Sequence, residues 1–465
     1  MKRILQFSIL SLAVVFGAAV HGQTVPLNQR KARTSPAWVT DGVMVQLWLR
    51  AFTPEGTLKA ARQRLPHLAD AGFTIVYLSP ISLMDDDPRK EHWAPRQRKT
   101  ENPRNPYRIK DYEQIDPEFG TREDLRAFVD EAHRLGLRVL MDIVYLHCGP
   151  SAVLIERHPS FMERDDAGNL KMQNWGFPGI NFKKPEVHDY FWRNMEMWVR
   201  DFDIDGYRCD VSDRIPLAFW EKARERLEAI KPDIGMLAEG MRTGDQLKAF
   251  DLDYGWGEPF KSWDNAAMIR SYWETQHAAR PIGGAKFVRF IENHDFVENM
   301  GSNRLDKAWG VPRVNAVLAA LFTLDGVPFL YNGQEFADVS RNSLYARLPI
   351  DWCALDTPTG QARLKLCRSL SALRRSTTAL TRGSLTWLDN DMPTAVLSFR
   401  RGEGKNTVVS VINISGKPLK THVSGMAGSI SPLLVTGATA DAQGAFTLDA
   451  FGFFIGRNAP GNSAD

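Results

Sequence analysis

Eight short apolar runs, separated by segments of helical periodicity, predict an α/β chain: a TIM (β/α)8 barrel with a short insertion after strand 3 and a C-terminal antiparallel β-sandwich domain. Two further observations point the same way. Polar, Pro-rich stretches follow the second and third runs, on the face where barrel loops carry function. Beyond about Ser376 the pattern shortens to alternating runs between Gly-rich turns.

The first strand is Val43-Met44-Val45-Gln46-Leu47-Trp48. Leu58, Ala61, Leu65 and Leu68 then share one helix face, Gly72 ends the helix, and Thr74-Ile75-Val76-Tyr77-Leu78 completes a βαβ unit. Thr121-Arg122-Glu123-Asp124 has the form of a capping box. It opens a helix with Leu125, Phe128, Val129, Ala132 and Leu135 inward and Gly136 as its stop, and the strand Arg138 to Val144 follows. A helix over Val187 to Val199 leads to strand Ile204 to Asp210, and a helix after Pro216 leads to strands Ile234 to Ala238 and Leu252 to Tyr254. Helices near Ser262 to Gln276, Val311 to Leu324 and Gly360 to Arg374 flank strands Lys286 to Ile291 and Val327 to Tyr331. The terminal runs are Val396 to Phe399, Thr407 to Val411 and Phe446 to Phe454. The expected divisions are a barrel over 23–376, with 147–186 as an inserted loop subdomain, and a β domain over 377–465.

Composition narrows the classes. Of 465 residues, 43% are hydrophobic and 24% charged, so a packed core is expected rather than disorder. Lys and Arg number 58 against 55 acidic residues, with no long basic run, which speaks against a nucleic-acid partner. Lys2-Arg3, an apolar run from Ile4 to Val20, and small residues before Gln23 have the layout of a signal peptide over 1–22. The run is interrupted by Gln6, Ser8 and Ser11 and is shorter than the roughly 20 residues that span a bilayer. A secreted or periplasmic protein, free of the membrane after cleavage, is therefore expected. The cysteines Cys148, Cys209, Cys353 and Cys367 contain no C-x-x-C pair. Zinc and dithiol chemistry have no support, leaving buried free thiols or one incidental disulfide.

Charged residues punctuate the ends of the strands. Arg208 and Asp210 are two apart and share a face, which in a barrel is the interior, while Cys209 turns outward. Glu239 follows the fifth strand, Asn293-His294-Asp295 the seventh and His147 the third. Four strands thus bring three carboxylates, two histidines and an arginine to one rim. Like charges brought together push one pKa upward, which a carboxylate pair needs to act as acid and nucleophile at one pH. Carboxyl groups about 5 to 5.5 Å apart would suit retaining glycoside hydrolysis.

Gly206-Tyr207-Arg208-Cys209-Asp210, Glu239 after an apolar strand, Asn293-His294-Asp295 and Asp142-Ile143-Val144-Tyr145-Leu146-His147 resemble four short motifs of the α-amylase superfamily of retaining glycoside hydrolases. The resemblance extends from about Asp41 into the terminal β domain and includes Asp116 to Thr121 and Gly326 to Glu335. It implies Asp210 as nucleophile, Glu239 as general acid and base, and Asp295 as stabiliser of the distorted sugar. It also implies that Arg208 holds Asp210 ionised, that His147 and His294 bond sugar hydroxyls, and that Tyr107 stacks on the same ring. Asp142 is expected to orient its neighbours. Trp175, Trp256 and Trp352 are expected to serve packing before sugar binding.

The departures are informative. Leu146 stands where the family often has Asn, and Pro178-Gly179-Ile180-Asn181 where Pro-Asp-Leu-Asn is common. Those side chains commonly ligate a structural calcium, so this calcium site is expected to be absent and no cofactor is implied. Val211-Ser212-Asp213-Arg214 lacks a Lys-His pair common after the nucleophile, and Phe296-Val297-Glu298 lacks the usual nearby Arg. The leading expectation is a retaining α-glycosidase acting on starch-like glucans or malto-oligosaccharides. Transglycosylation or isomerisation of α-glucans is a second reading, and a non-catalytic carbohydrate-binding barrel a third.

Overall fold

The computed structural model describes residues 25–458 apart from 174, 258–261, 284–285, 300–303, 405 and 427–429. The leader expected over 1–22 lies outside the described residues. Eight parallel strands close a barrel: β1 (Met44–Leu47), β2 (Ile75–Leu78), β3 (Arg138–Ile143), β4 (Gly206–Cys209), β5 (Gly235–Ala238), β6 (Leu252–Tyr254), β7 (Lys286–Arg289) and β8 (Val327–Tyr331). Each pairs with its neighbour in sequence and β8 pairs with β1, so no edge is left open.

Alternation along the strands decides what each side chain meets. Met44, Ile75, Tyr77, Leu140, Leu237, Val288 and Phe329 fill the interior. Val45, Val76, Met141, Tyr207 and Cys209 face outward into the core beneath the helices. The amino end of the barrel is plugged by the short helix Ala37–Thr40, whose Trp38 donates its indole N–H to the Asp233 carbonyl beside the start of β5. At Gly206 a Cβ would collide with the Gly235 carbonyl oxygen, so glycine lets β4 and β5 pair at the point where the arginine and carboxylates begin.

The strands are shorter than their apolar runs, and the chemistry-bearing residues sit just past their ends. The first helix is two: Leu58–Arg62, and Leu65–Ala71 restarting with Pro66, which has no N–H to donate and fits only a first turn. Arg122–Arg134 has the expected capping box. Other helices run past their expected ends, as Pro185–Phe202, Ala266–Ala278 under an Asn265 cap, and Pro358–Ser376 under a Thr357 cap. Among the described residues all four cysteines are free thiols, three buried and Cys353 exposed.

Both long segments have structure of their own. After β2, Ser82–Met84 pairs with Ile109–Ile115. Arg108, fully buried, donates to the carbonyl oxygens of His92, Asp85, Asp87 and Pro103 and so gathers the intervening loop. After β3, a short helix Val153–Arg157 leads into antiparallel bridges Met162 to Ile180, Arg164 to Leu170 and Met172 to Pro178, with His147 bridging Gly179.

The C-terminal strands β9 (Leu385–Trp387), β10 (Val396–Arg401), β11 (Val408–Asn413), β12 (Leu419–His422), β13 (Ile430–Ala440) and β14 (Ala445–Asn458) form one antiparallel sheet. The long β14 pairs with β12 through Ala445–Leu448 and with β11 through Phe453–Arg457, while β13 runs along both parts. Leu397, Phe399, Ile412 and Ile455 join the barrel's outer core. The sheet also encloses Val396, Val409, Val411, Phe446 and Leu448, so the sandwich is a single sheet folded over itself.

Candidate active site

The carboxyl ends of the strands surround a cavity of about 580 Å³ lined by Tyr107, His147, Trp175, Asp210, Glu239, His294 and Asp295, among others. Six of the seven residues expected at the site therefore meet in one cavity. The seventh, Arg208, lies beneath it, fully buried. Its Nη1 is 2.7 Å from Asp142 Oδ1 and 2.8 Å from Asp210 Oδ1, and its Nη2 is 2.8 Å from Glu239 Oε2. The planar fork suits it to this, since an ammonium offers no second donor at a fixed angle. The rings of Tyr77, Tyr107 and Tyr254 lie with centroids 6.0, 5.8 and 5.7 Å from the guanidinium carbon.

Asp142 orients its neighbours. Its Oδ2 accepts from the hydroxyls of Tyr77 and Tyr107 at 2.8 and 2.9 Å, while Oδ1 takes Arg208. Burial pushes its pKa up to about 6 against the pull of Arg208 and the tyrosines. Burial also pushes Asp210 well above the usual carboxylate range; Arg208 pulls it down, and Glu239 and Asp142 push it up. Asp210 and Glu239 are each drawn to Arg208, one on Nη1 and the other on Nη2. Glu239 Oε2 also accepts from the Val211 N–H at 2.9 Å. Val211 is in the left-handed region at φ 43°, a strained conformation for a β-branched residue, and that conformation aims the N–H.

Burial lowers His147 and His294 to about 3, so both are neutral at ordinary pH. His147 lies between Trp175 and Phe177, with ring centroids at 5.5 and 5.0 Å. The rings of Tyr107 and Trp48 lie nearly parallel to that of His294, with centroids at 5.4 and 5.1 Å. Asp295 sits at the mouth with its side chain 40% exposed, its Oδ2 3.5 Å from His294 Nε2. Loss of hydration raises Asp295, while Arg208 and Arg96 lower it. Arg96 was not found by sequence reasoning, because it comes from the loop after β2 and not from the neighbourhood of Asp295. Gln46 and Val211 were also missed: each lies on or beside a strand whose apolar pattern gave no sign of a polar role. Trp256 packs on Tyr254, and Trp352 packs with Phe52 and Phe336. Trp175 differs, being 40% exposed on the cavity wall.

The family model described as "Alpha amylase, catalytic domain" matches residues 29–175, the stretch from before β1 into the inserted loop. The chain is 25% identical over 439 residues to α-amylase 2 of Dictyoglomus thermophilum, covering 82% of this chain and 71% of that one. It is 26% identical over 444 residues to a cyclomaltodextrinase of Geobacillus thermopakistaniensis, covering 82% and 70%. The chain is thus similar to members of the α-amylase superfamily. A maltogenic α-amylase structure from Thermotoga neapolitana superposes with a TM-score of 0.76 at 24% identity, over 90% of this chain and 99% of that one, which shows the common α-amylase fold.

Leu146 is buried hydrocarbon in the core, and a Cβ at Gly179 would meet Gln173 and Glu163. The His147 carbonyl oxygen accepts the Tyr112 hydroxyl at 2.8 Å, and Asn181 Oδ1 accepts the Lys183 N–H. Leu146 and Gly179 thus supply no side-chain oxygen at the two positions where the family commonly has one.

Proposed function

We propose that the chain is a retaining α-glycosidase that hydrolyses α-glucosidic bonds in starch-like glucans or malto-oligosaccharides through a covalent glycosyl-enzyme intermediate. The observation that carries this reading is Arg208 serving Asp142, Asp210 and Glu239 at once beneath the cavity. Glu239 Oε2 is occupied by Arg208 and Val211, which leaves Oε1 as the atom that can hand a proton to the substrate. In the reacting complex that proton passes from Oε1 to the glycosidic oxygen, and the leaving chain departs as the alcohol. Arg208 favours the carboxylate form of Asp210, and that form attacks the anomeric carbon and forms the glycosyl ester. Glu239, now ionised, takes a proton from water, whose oxygen attacks the same carbon and releases Asp210. Asp295, His294 and His147 hold the sugar hydroxyls, and Tyr107 stacks beneath the ring.

The acid stands beside the leaving group, so the aglycone lies toward Glu239, Val211 and Trp175. The exposed face of Trp175 supports a second reading, in which a sugar held there intercepts the intermediate in place of water. Incubation with maltooligosaccharides, followed by anomeric NMR and chromatography, tests both. Free reducing ends with retained configuration support hydrolysis, new linkages support transfer, and binding without turnover across α-glucosides would overturn the enzymatic reading. We further propose that no structural calcium is held between the barrel and third loop; a metal-dependent melting temperature in chelator-treated protein would refute this. Residues 1–22 are proposed as a cleaved leader to the periplasm or medium, which the N-terminus of the exported protein would check.

A further inference from the structure

Gln46 is the inward-facing polar residue of β1, fully buried, and nothing in its own strand uses it. Its carboxamide meets His294 twice. The backbone N–H of His294 donates to Gln46 Oε1 at 3.1 Å, and Gln46 Nε2 lies 2.7 Å from His294 Nδ1. The first contact settles the orientation of the amide, because an N–H facing the other end would meet a second donor. Gln46 Nε2 is then the atom facing Nδ1, and an amide nitrogen only donates. His294 Nδ1 must accept, so the neutral ring carries its hydrogen on Nε2.

The opposite side of the ring agrees. Nε2 is 2.6 Å from the Tyr107 hydroxyl oxygen and 3.5 Å from Asp295 Oδ2, both able to accept. The Tyr107 hydroxyl in turn donates to Asp142 Oδ2. The direction of every hydrogen bond from Gln46 through His294 and Tyr107 to Asp142 is thereby fixed. Trp48 lies parallel to the imidazole at 5.1 Å and prevents tilting. The other charged groups acting on the ring are Arg208 and Glu239, of opposite sign.

We infer that Gln46 is a positioning residue that locks His294 in the tautomer with its proton on Nε2, so that the ring always donates to the Tyr107 hydroxyl and holds that ring in the orientation in which it donates to Asp142. The tautomer lock stands on geometry alone; its effect on turnover rests on the proposed glycosidase activity.

The test uses full-length protein carrying ¹⁵N-labelled histidine, with the His294 signals assigned by their loss in His294→Gln. In the wild type, between pH 5 and 8, Nδ1 should show the shift of an unprotonated ring nitrogen and Nε2 that of a protonated one. In Gln46→Glu a carboxylate oxygen faces Nδ1, so Nδ1 should become protonated and an imidazole titration should enter the pH–rate profile. At pH 7, kcat/KM should fall by about tenfold or more. Should Gln46→Glu fail to fold, Gln46→Met, which removes the donor without adding charge, should show a mixture of the two tautomers. A wild-type proton on Nδ1, or unchanged ring shifts in the variants, overturns the inference. Absence of glucan hydrolysis by the wild type would defeat the functional reading while leaving the ring spectrum to decide the lock.

Discussion

Arg208 holds Asp210 on Nη1 and Glu239 on Nη2, both at 2.8 Å, so one guanidinium fixes the two carboxyl groups of the proposed reaction relative to each other. Its position follows from sequence spacing: two residues along β4 keep Arg208 and Asp210 on the same inward face. Arg208→Lys keeps the charge and loses the fork. Turnover should drop by about 100-fold or more, with a pH–rate profile displaced from that of the wild type, because an ammonium has a single nitrogen and lacks the planar fork that reaches Asp210 and Glu239 separately. Steady-state kinetics across pH, beside a melting curve, checks this.

Asp210→Asn should reduce kcat by roughly 10⁴-fold while the protein remains folded, since the amide keeps the shape but cannot form the glycosyl ester. Retained turnover would remove Asp210 from the nucleophile's role. Glu239→Gln should respond differently, recovering with substrates whose leaving groups need no protonation.

Acid should weaken the fold through the buried histidines. His147 is held near 3 in the folded chain against an ordinary value of 6.5, so the unfolded chain binds the additional proton. Stability is then lost as pH falls from about 6.5 towards 3, by at most about 1.4 kcal/mol per unit for this group. Asp142, raised to about 6, acts in the opposite sense over the upper part of that range. His147→Gln removes the histidine contribution alone, so denaturant titrations at pH 7 and pH 4 should differ less for the variant than for the wild type.

Gly206→Ala should destabilise the barrel by about 1 to 3 kcal/mol, because the new methyl group meets the Gly235 carbonyl oxygen across β4 and β5. The melting temperature reports this directly. A wild-type value would mean that the two strands can part without cost.

Trp175→Ala should raise KM by about tenfold for long substrates and leave kcat nearly unchanged, as a platform for the leaving chain contributes binding and not chemistry. An equal loss for long and short substrates would place the ring elsewhere in the mechanism.

The barrel was legible because its strands are buried on both faces and read as continuous apolar runs, each followed by a helix with a clear stripe. The acidic rim was legible too, since Asp210, Glu239 and His294 stand immediately beyond such runs. Gln46 was hidden within one, a single polar residue among Met44, Val45 and Leu47. Arg96 was hidden because its relation to Asp295 exists only after the loop from β2 folds over the rim. The break between Arg62 and Leu65 could have been read from Pro66, whose missing N–H restarts a helix.

Two arginines hold the rim by its main chain. Arg108 collects four carbonyl oxygens of the loop after β2, and Arg50 donates to those of Arg104, Leu344 and Tyr345, linking that loop to the one after β8. Carbonyl oxygens are supplied by every amino acid. Loop side chains that do not themselves hold the main chain, as Asn105 does for the Tyr107 N–H, can therefore be exchanged over evolutionary time without moving Tyr107 from its place over Arg208. A barrel so braced can change what it prefers to cut while leaving untouched the machinery that cuts.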